Sequence, residues 1–248
     1  MDIESIYHSY LMHVESTRDY YKIKKVFHAS GAGSCYRKQL YSYFDYPQDS
    51  KDNKSYRLLR LGTIVHKDIE EAIKHYEDEN TKSDVFSEDE IKLPDFNVIG
   101  TYDVGELKAD GEFTLWDIKT AAAYKWTTKF GRKENRKPDS DTNYKLQLGT
   151  YALAIRHKYK PDKINMYLIW YNKNTSQMRE QLVSNHWIDE ALSYWTELNE
   201  IKDDLGKSFE NELEPNMTEG VPFQDWECRY CQYYSVCPST LAEKKKRY

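Results

Sequence analysis

Long apolar runs are missing from this chain of 248 residues, and cysteine, proline and glycine are scarce. No stretch approaches the roughly 20 apolar residues that a membrane-spanning helix needs. The N-terminus carries early acids and lacks the basic-then-apolar order of a secretory signal. Charged residues at 31% and hydrophobic residues at 39% are typical of a globular domain. We therefore expect a cytoplasmic (intracellular) protein with no membrane partner.

An excess of positive charge is also missing, because 36 Lys and Arg stand against 41 Asp and Glu and the formal net charge is -5. Its distribution is uneven: residues 119–145 carry eight Lys or Arg against three acids, and residues 184–219 carry ten acids against two lysines. A basic segment in an acidic chain is compatible with phosphate binding. It is equally compatible with a solvated loop, so charge alone leaves the partner open.

The chain has only four cysteines, and three of them, Cys228, Cys231 and Cys237, lie within ten residues. The fourth, Cys35, is far upstream. Structural disulfides are not expected without a secretory signal, so the spacing predicts a metal or cluster site. Four thiolates hold either Zn²⁺ or a [4Fe–4S] cluster. The spacing does not decide between them.

Hydrophobic periodicity predicts a mixed α/β chain. We expect an acidic connector at 80–90 and irregular structure in the basic segment, where Gly131 and Pro138 interrupt the pattern. The strongest helix, 58–79, has an apolar stripe that includes Leu61 and Tyr76. The order of elements predicts a mixed sheet covered by helices. The expected helices are 1–25, 36–44, 58–79, 143–159 and 188–212, and the expected strands are 97–107, 113–120, 164–171 and 179–187.

The segment WDIKT at residues 116–120 carries the first chemical signal. Alternate side chains of a strand share a face, so Asp117 and Lys119 point the same way, while Trp116 and Ile118 point to the other face. A carboxylate can hold a divalent cation, and a neighbouring lysine can orient or deprotonate a water or stabilise the charge on a phosphorane. This pairing suits phosphodiester hydrolysis, although such a pair is more often a surface salt bridge.

Asp103, on the preceding predicted strand, supplies a second carboxylate. A hairpin turn through the sequence KADGE would bring it beside Asp117. Two carboxylates with water and phosphate oxygens make an oxygen-rich site that suits Mg²⁺ or Mn²⁺.

Four short motifs follow one another along the chain. They are Gly62-x-x-x-His66, Gly100-x-x-Asp103, Asp117-x-Lys119 and Gln147-x-x-x-Tyr151. In this order the sequence resembles the RecB-like branch of the PD-(D/E)xK nucleases over about residues 58–155. The resemblance implies that His66, Asp103, Asp117 and the carbonyl of Ile118 ligate the metal. It also implies that Lys119 is catalytic with Asp103 and Asp117, and that Gln147 and Tyr151 line the site or its DNA groove.

The cysteine pattern extends this resemblance to nearly the whole chain. One upstream cysteine with a C-terminal triad is similar to the iron–sulfur RecB-type nucleases, which include CRISPR-associated adaptation nucleases and AddB-type subunits. The resemblance favours a [4Fe–4S] cluster on Cys35, Cys228, Cys231 and Cys237. Such a cluster would join the N-terminal loop to the C-terminal segment, and its ligation energy would be folding energy.

Basic and aromatic residues after the predicted catalytic strand suggest a DNA contact. Aromatic side chains beside basic ones can stack on unpaired bases. We expect residues 124–137 to form a flexible flap over single-stranded DNA, with contacts from Lys125, Trp126, Lys129 and Arg132. Arg37, just after Cys35, is a further candidate for a phosphate contact.

The sequence therefore predicts an α/β fold of restriction-endonuclease type, a mixed sheet flanked by helices. A helical N-terminal arm (1–57), a nuclease core (58–187) and a C-terminal cluster-binding segment (188–248) would make up the chain. The expected function is a Mg²⁺- or Mn²⁺-dependent DNA nuclease, an exonuclease acting on single strands or free DNA ends. The alternatives are a non-catalytic DNA-end-binding adaptor subunit and a zinc-stabilised interaction protein.

Overall fold

The computed structural model describes residues 1–17, 23–79, 83–137, 140–213, 228 and 230–237. Short 3₁₀ turns lie at Ala29–Gly31, Pro94–Phe96, Lys133–Asn135 and Gly206–Ser208. The helices and strands of these ranges are, in order, α1 (Ile3–Ser16), β1 (Phe27–His28), α2 (Tyr36–Tyr43), α3 (Asn53–Glu79), β2 (Ser83–Leu93), β3 (Val98–Lys108), β4 (Glu112–Ala121), α4 (Ala123–Phe130), α5 (Thr142–Tyr159), β5 (Lys163–Asn172), β6 (Met178–Val183), α6 (His186–Leu205) and α7 (Phe209–Glu212).

The strands form one mixed sheet. β2 pairs antiparallel with β3 along nearly its whole length. The other edge of β3 is shared, because β1 pairs in parallel with residues 98–99 and β4 pairs antiparallel with residues 104–107. β5 lies parallel to β4, and β6 is the outer strand, antiparallel to β5. A parallel pair needs a crossover, which the segment containing α4 and α5 provides.

One face of the sheet is buried beneath α5. β5 alternates buried and half-buried positions, as a strand with one fully covered face requires. In the β4–β5 register, Asp117 pairs with Leu168 and Lys119 pairs with Trp170, and both β5 partners are fully buried. The polar pair on β4 therefore lies on the covered face, directly under α5.

The second helical layer is α6, which packs on α5. Residues 146–155 of α5 are all buried. Trp195 of α6 donates from its indole nitrogen to the Thr150 hydroxyl at 2.8 Å. The two helices approach closely at Gly149, where an added Cβ would come within 2.0 Å of the Trp187 carbonyl oxygen.

The segment after α2 packs against the C-terminal cysteine segment. The amide of Asp49 donates to the carbonyl of Gln232 at 2.7 Å, and Gln48 donates to the Tyr233 hydroxyl at 3.1 Å. The rings of Tyr41 and Tyr233 are stacked with centroids 5.4 Å apart. The segment after α2 and the C-terminal cysteine segment thus form one packed unit.

The expectation of a mixed sheet flanked by helices is confirmed. The prediction of an acidic connector at 80–90 is wrong, because the residues from Ser83 onward form strand β2. Its charged residues Asp84, Glu88, Glu90 and Lys92 are exposed, and an outer strand tolerates such side chains. Ten paired positions with β3 hold the strand together despite its acidic composition.

The basic segment is also more regular than expected. Residues Ala123–Phe130 form helix α4, in which the rings of Trp126 and Phe130 pack at 4.7 Å. The prediction of a flexible flap is therefore wrong over this helix. Its two aromatic side chains are four residues apart, and their packing anchors one face of the helix. Residue 138, part of the expected irregular stretch, lies outside the described residues.

Helix α3 forms as predicted and begins five residues earlier, but its apolar stripe is not core. Leu61 is 42% exposed and Tyr76 is 56% exposed, whereas Glu70 is 4% exposed. The face that α3 turns toward the sheet is therefore polar at Glu70.

The first helix is shorter than expected. α1 ends at Ser16, and β1 at residues 27–28 joins the sheet. The expected boundary at residue 57 falls inside α3, and the one at residue 187 falls inside α6. Among the described residues, none of the helices has the length and apolar character to cross a membrane.

Candidate active site

β4 presents a buried ion pair at the centre of the site. Asp117 is 1% exposed, and its Oδ2 lies 2.7 Å from the Nζ of Lys119. Burial raises the pKa of Asp117, and the charge of Asp103 adds to the rise although Lys119 opposes it. For Lys119, burial lowers the pKa, but the charges of Asp117 and Asp103 outweigh it and raise the pKa overall.

Helix α5 holds the lysine from above. Lys119 Nζ donates to Gln147 Oε1 at 2.9 Å, and Gln147 Nε2 donates to the Tyr151 hydroxyl at 2.7 Å. Gln147 and Tyr151 face the same side because they are one helical turn apart. The ring of Tyr144 lies 4.9 Å from the same ammonium, a contact that the sequence motifs did not identify.

A local distortion of two strands turns Asp103 toward α3. In the β2–β3 register Ser87 pairs with Val104 and Asp89 with Tyr102, so the intervening Glu88 and Asp103 are left unpaired. Glu88 has a φ of 50°, which non-glycine residues rarely adopt. The side chain of Asp89 therefore bonds to Tyr102 and Tyr159 on the covered side, while Glu88 and Asp103 line a pocket beside α3.

Helix α3 completes the site from the other side of the sheet. His66 Nδ1 lies 3.7 Å from Asp103 Oδ2. Burial lowers the pKa of His66, but the charge of Asp103 outweighs it and raises the pKa. Glu70, one turn further on, was missed by the sequence analysis. Its spacing from His66 places both on one helix face, and that spacing was the signal.

The donor set fits a hard divalent cation. One nitrogen and two carboxylate groups come together from His66, Glu70 and Asp103, with Asp117 within electrostatic range of His66. Oxygen-rich sites of this kind suit Mg²⁺ or Mn²⁺. The ligand atoms of His66, Glu70 and Asp103 lie within 4.8 Å of one another. Asp103 Oδ2 also accepts the Ile118 amide at 2.6 Å, which fixes this carboxylate against the main chain between Asp117 and Lys119.

The basic residues of the expected DNA contact have mixed placements. Lys129 pairs with the fully buried Asp141, and Lys125 donates to the Ser140 carbonyl. Trp126 is buried in the core, and Arg132 is exposed. The prediction that Trp126 contacts DNA is therefore wrong, because its ring is packed in the core. The ammonium of Lys129 binds a buried carboxylate inside the protein.

Arg37 does not face solvent. Its guanidinium donates to the carbonyls of Glu210 and Leu213 and to the Tyr41 hydroxyl. The expectation of a phosphate contact is corrected, because the side chain is 4% exposed and ties α2 to the segment around α7.

All four cysteines lie in described residues, and no disulfide joins them. Burial raises the pKa of the Cys231 thiol to about 11, where Lys38 opposes the rise and Cys35 and Cys237 add to it. The fold therefore brings Cys35 within electrostatic range of the C-terminal cysteines. The basic end of the chain, from residue 238, lies outside the described residues.

The sequence of the chain is similar to that of a known protein superfamily. The sequence model of the PD-(D/E)XK nuclease superfamily matches residues 56–238. No curated protein sequence matches the chain.

Three solved structures match the chain at low sequence identity. The crystal structure of SSO0001 has a TM-score of 0.55 at 17% identity and covers 97% of this chain and 98% of that chain. A putative exonuclease from Eubacterium rectale has a TM-score of 0.47 at 14% identity, with 81% and 91% covered. An alkaline exonuclease from Laribacter hongkongensis has a TM-score of 0.39 at 17% identity, with 74% and 93% covered. The first of these likenesses shows a shared fold.

Proposed function

Because the chain belongs to the PD-(D/E)XK nuclease superfamily, we propose that it hydrolyses phosphodiester bonds of DNA with the help of Mg²⁺ or Mn²⁺. One observation carries the proposal: Lys119 is held between Asp117 at 2.7 Å and Gln147 at 2.9 Å. A buried lysine fixed in this way next to two carboxylates is the arrangement that phosphoryl transfer needs.

Asp103, Asp117, His66 and the carbonyl of Ile118 would hold the cation. When bound, it supplies a Lewis acid for the phosphate and lowers the pKa of a water. The protein groups do the rest of the work. An ammonium carries three N–H donors, and two of those of Lys119 face Asp117 and Gln147, which leaves the third for a water or a phosphate oxygen.

Gln147 and Tyr151 are positioning residues in this proposal. The Tyr151 hydroxyl accepts from Gln147 at 2.7 Å, so the amide is oriented with its oxygen toward Lys119. The ring of Tyr144 adds a cation–π contact, which is favourable when the cation is desolvated. These contacts fix the ammonium before substrate arrives, and such preorganisation is the main source of electrostatic catalysis.

Single-stranded DNA or a free DNA end is the proposed substrate, and the proposed subgroup is the RecB-like iron–sulfur nucleases. The exposed Arg132 follows α4, which starts two residues after β4, and Lys125 lies 5.2 Å from the Tyr144 ring beside the catalytic lysine. Both residues are suited to phosphate contacts near the site.

A [4Fe–4S] cluster on Cys35, Cys228, Cys231 and Cys237 is part of the proposal. Its support is the proximity of Cys35 to Cys231 and the packing of residues 41–49 on residues 232–233. In this role the cluster is structural and joins two ends of the fold. Iron and zinc analysis of anaerobically purified protein distinguishes it from a zinc site.

The test of the function is the change Lys119→Ala. Single-stranded DNA with a free end, with its 5′ end blocked or with its 3′ end blocked is incubated with Mn²⁺, with and without a chelator. The wild-type protein should release nucleotides from an unblocked end, and Lys119→Ala should lower the rate by about 10²–10³-fold, as the loss of one preorganised charged donor does.

Lys92→Ala, an exposed lysine on β2, is the matched control and should retain full activity. Undiminished cleavage by Lys119→Ala would overturn the mechanism. Binding of DNA ends without any hydrolysis by the wild-type protein would identify an adaptor instead.

A further inference from the structure

Helix α3 turns an apolar side away from the rest of the protein. His66 and Glu70 line the pocket next to the sheet. Leu58, Leu61 and Ile64 lie on the outer side of the helix and are 47%, 42% and 48% exposed. An amphipathic helix normally packs its apolar stripe on a neighbour. In the part of the chain that the structure describes, no element covers this stripe of α3.

Helix α1 lies alongside α3 and exposes a second apolar stripe. Ile3, Ile6, Tyr7 and Tyr10 recur at spacings of three and four residues, which places them on one helix face. Their exposed fractions lie between 40% and 66%. Leu11, one turn after Tyr7, is buried. α1 is therefore attached along one edge and leaves most of its apolar face in solvent.

Two ion pairs show how α1 is attached. Glu4 pairs with Arg57 at 3.1 Å, and Glu15 pairs with Lys51 just before α3. The two helices therefore run antiparallel, and both ion pairs fall on residues that precede Leu58. The exposed apolar residues of α3 from Leu58 onward are open to a further helix.

Side-chain charge on the two helices is opposite in sign. Residues 1–16 carry three acids and no Lys or Arg, whereas residues 53–67 carry four Lys or Arg and no acids. Opposite charges favour the pairing of an α1 with an α3 and oppose the pairing of two like helices. The lengths also match, because the 14 residues of α1 extend over about 21 Å, enough to lie along residues 58–64.

We propose that this surface binds a second copy of the chain, with α1 of each copy lying along the outer side of α3 of the other. One molecule exposes both complementary helices, so a two-fold axis between two copies forms both pairs at once, as an isologous interface requires. The four helices enclose apolar side chains, among them Ile6 and Leu61, within a charged rim. The inference does not rest on the proposed nuclease function, because the site residues His66 and Glu70 lie on the other side of α3.

The experiment measures the mass of the whole protein by sedimentation velocity and by light scattering over a wide range of concentrations. The wild-type protein is expected to form a dimer. Leu61→Glu should raise the dissociation constant of the dimer by about 30-fold or more, as the loss of a central interface residue does. Leu182→Glu is the matched control and should leave the dimer unchanged, because it places the same charge on a residue of β6 that is 66% exposed.

A second variant tests which helices meet. Ile6 on α1 is 54% exposed, and Ile6→Glu should weaken the dimer by a similar factor, because α1 supplies half of each helix pair. A dimer held by two α3 helices alone would not respond to this change. Since both positions are exposed in the single chain, thermal unfolding followed by circular dichroism should show that both variants keep the fold.

Three outcomes decide the inference. A wild-type protein that stays monomeric at every concentration overturns it. A dimer that either Leu61→Glu or Ile6→Glu leaves intact also overturns it, since the interface then lies elsewhere. A dimer that both of these variants dissociate and that Leu182→Glu preserves supports it.

Discussion

At the scale of single residues, Asp141 organises the basic part of the site. It is fully buried and contacts Lys129, Lys145 at 3.1 Å and the Gln181 amide at 3.1 Å. Burial raises its pKa, but the hydrogen bond and charge of Lys129, with help from Lys145 and Gln181, outweigh this and lower the pKa. The carboxylate is therefore ionised at neutral pH and neutralises two nearly buried lysines.

The change Asp141→Asn should destabilise the fold. It leaves two ammonium groups without their counter-ion, and breaking a buried pair from one side costs about 3–5 kcal/mol. Chemical denaturation between about pH 5 and 8 should show the same loss throughout, because a lowered pKa keeps Asp141 charged over that range. Asp84→Asn, an exposed aspartate on β2, is the control and should change nothing. Equal stabilities of the two variants would contradict this account.

The sequence could predict some of these residues and not others. Asp117, Lys119 and Gln147 follow from strand alternation and an i,i+4 spacing, and their contacts are present at 2.7 and 2.9 Å. Glu70 and Asp141 are single acids among many in an acidic chain. Glu70 has one local signal, its spacing from His66, whereas only burial distinguishes Asp141. Burial depends on which elements pack together, which local patterns do not report.

At the scale of secondary-structure elements, the contact between α5 and α6 depends on a missing side chain. Glycine inside a helix usually costs about 1 kcal/mol relative to alanine. At Gly149 the sign reverses, because a Cβ would lie 2.0 Å from the Trp187 carbonyl oxygen and 2.7 Å from its carbonyl carbon. The backbone of α6 would have to move away from α5, which also carries Gln147 and Tyr151.

Gly149→Ala should therefore lower the free energy of unfolding by about 1–3 kcal/mol, the typical cost of overpacking. Since α5 positions the amide that binds Lys119, the same change should reduce the proposed cleavage activity. Denaturant titration with a parallel rate measurement tests both. A gain in stability, as helix propensity alone predicts, would show that the helices are not in tight contact.

The sequence predicted a helix or strand correctly where hydrophobic periodicity was the dominant pattern. It failed where charge composition suggested something different. Helix α3 and strand β5 follow from clear periodicity. β2 was concealed because its exposed positions are charged, which suggested a connector, although β3 pairs with it at ten positions. α4 was concealed because eight basic residues in its region suggested a loop, while Trp126 and Phe130 anchor one helix face in the core.

At the scale of the whole molecule, charge is arranged on two sides of the site. Glu70, Glu88 and Asp103 surround the pocket beside α3, while the exposed basic residues 132, 133, 136 and 137 follow α4. A polyanion such as DNA would approach from the basic side, because the acidic side repels phosphate. Opposed charges would thus orient the substrate.

Arg132→Ser combined with Lys133→Ser should weaken binding of single-stranded DNA uniformly across sequences. If both residues contact phosphates, the slope of log affinity against log salt should fall by about 1.4, or about 0.7 per contact. Lys54→Ser with Lys207→Ser removes the same charge from exposed positions elsewhere and should leave the slope unchanged. Identical slopes for the two double variants would exclude a DNA contact after α4.

The packing of Gln48 on Tyr233 has a consequence for biosynthesis. The two residues are 185 positions apart, and translation at about 5–20 residues per second separates their appearance by roughly 10–40 s. During that interval the aromatic ring of Tyr41, fully buried in the finished fold, has not yet met its stacking partner. The N-terminal segment of the nascent chain is therefore accessible to chaperones and proteases until the C-terminal cysteine segment leaves the ribosome.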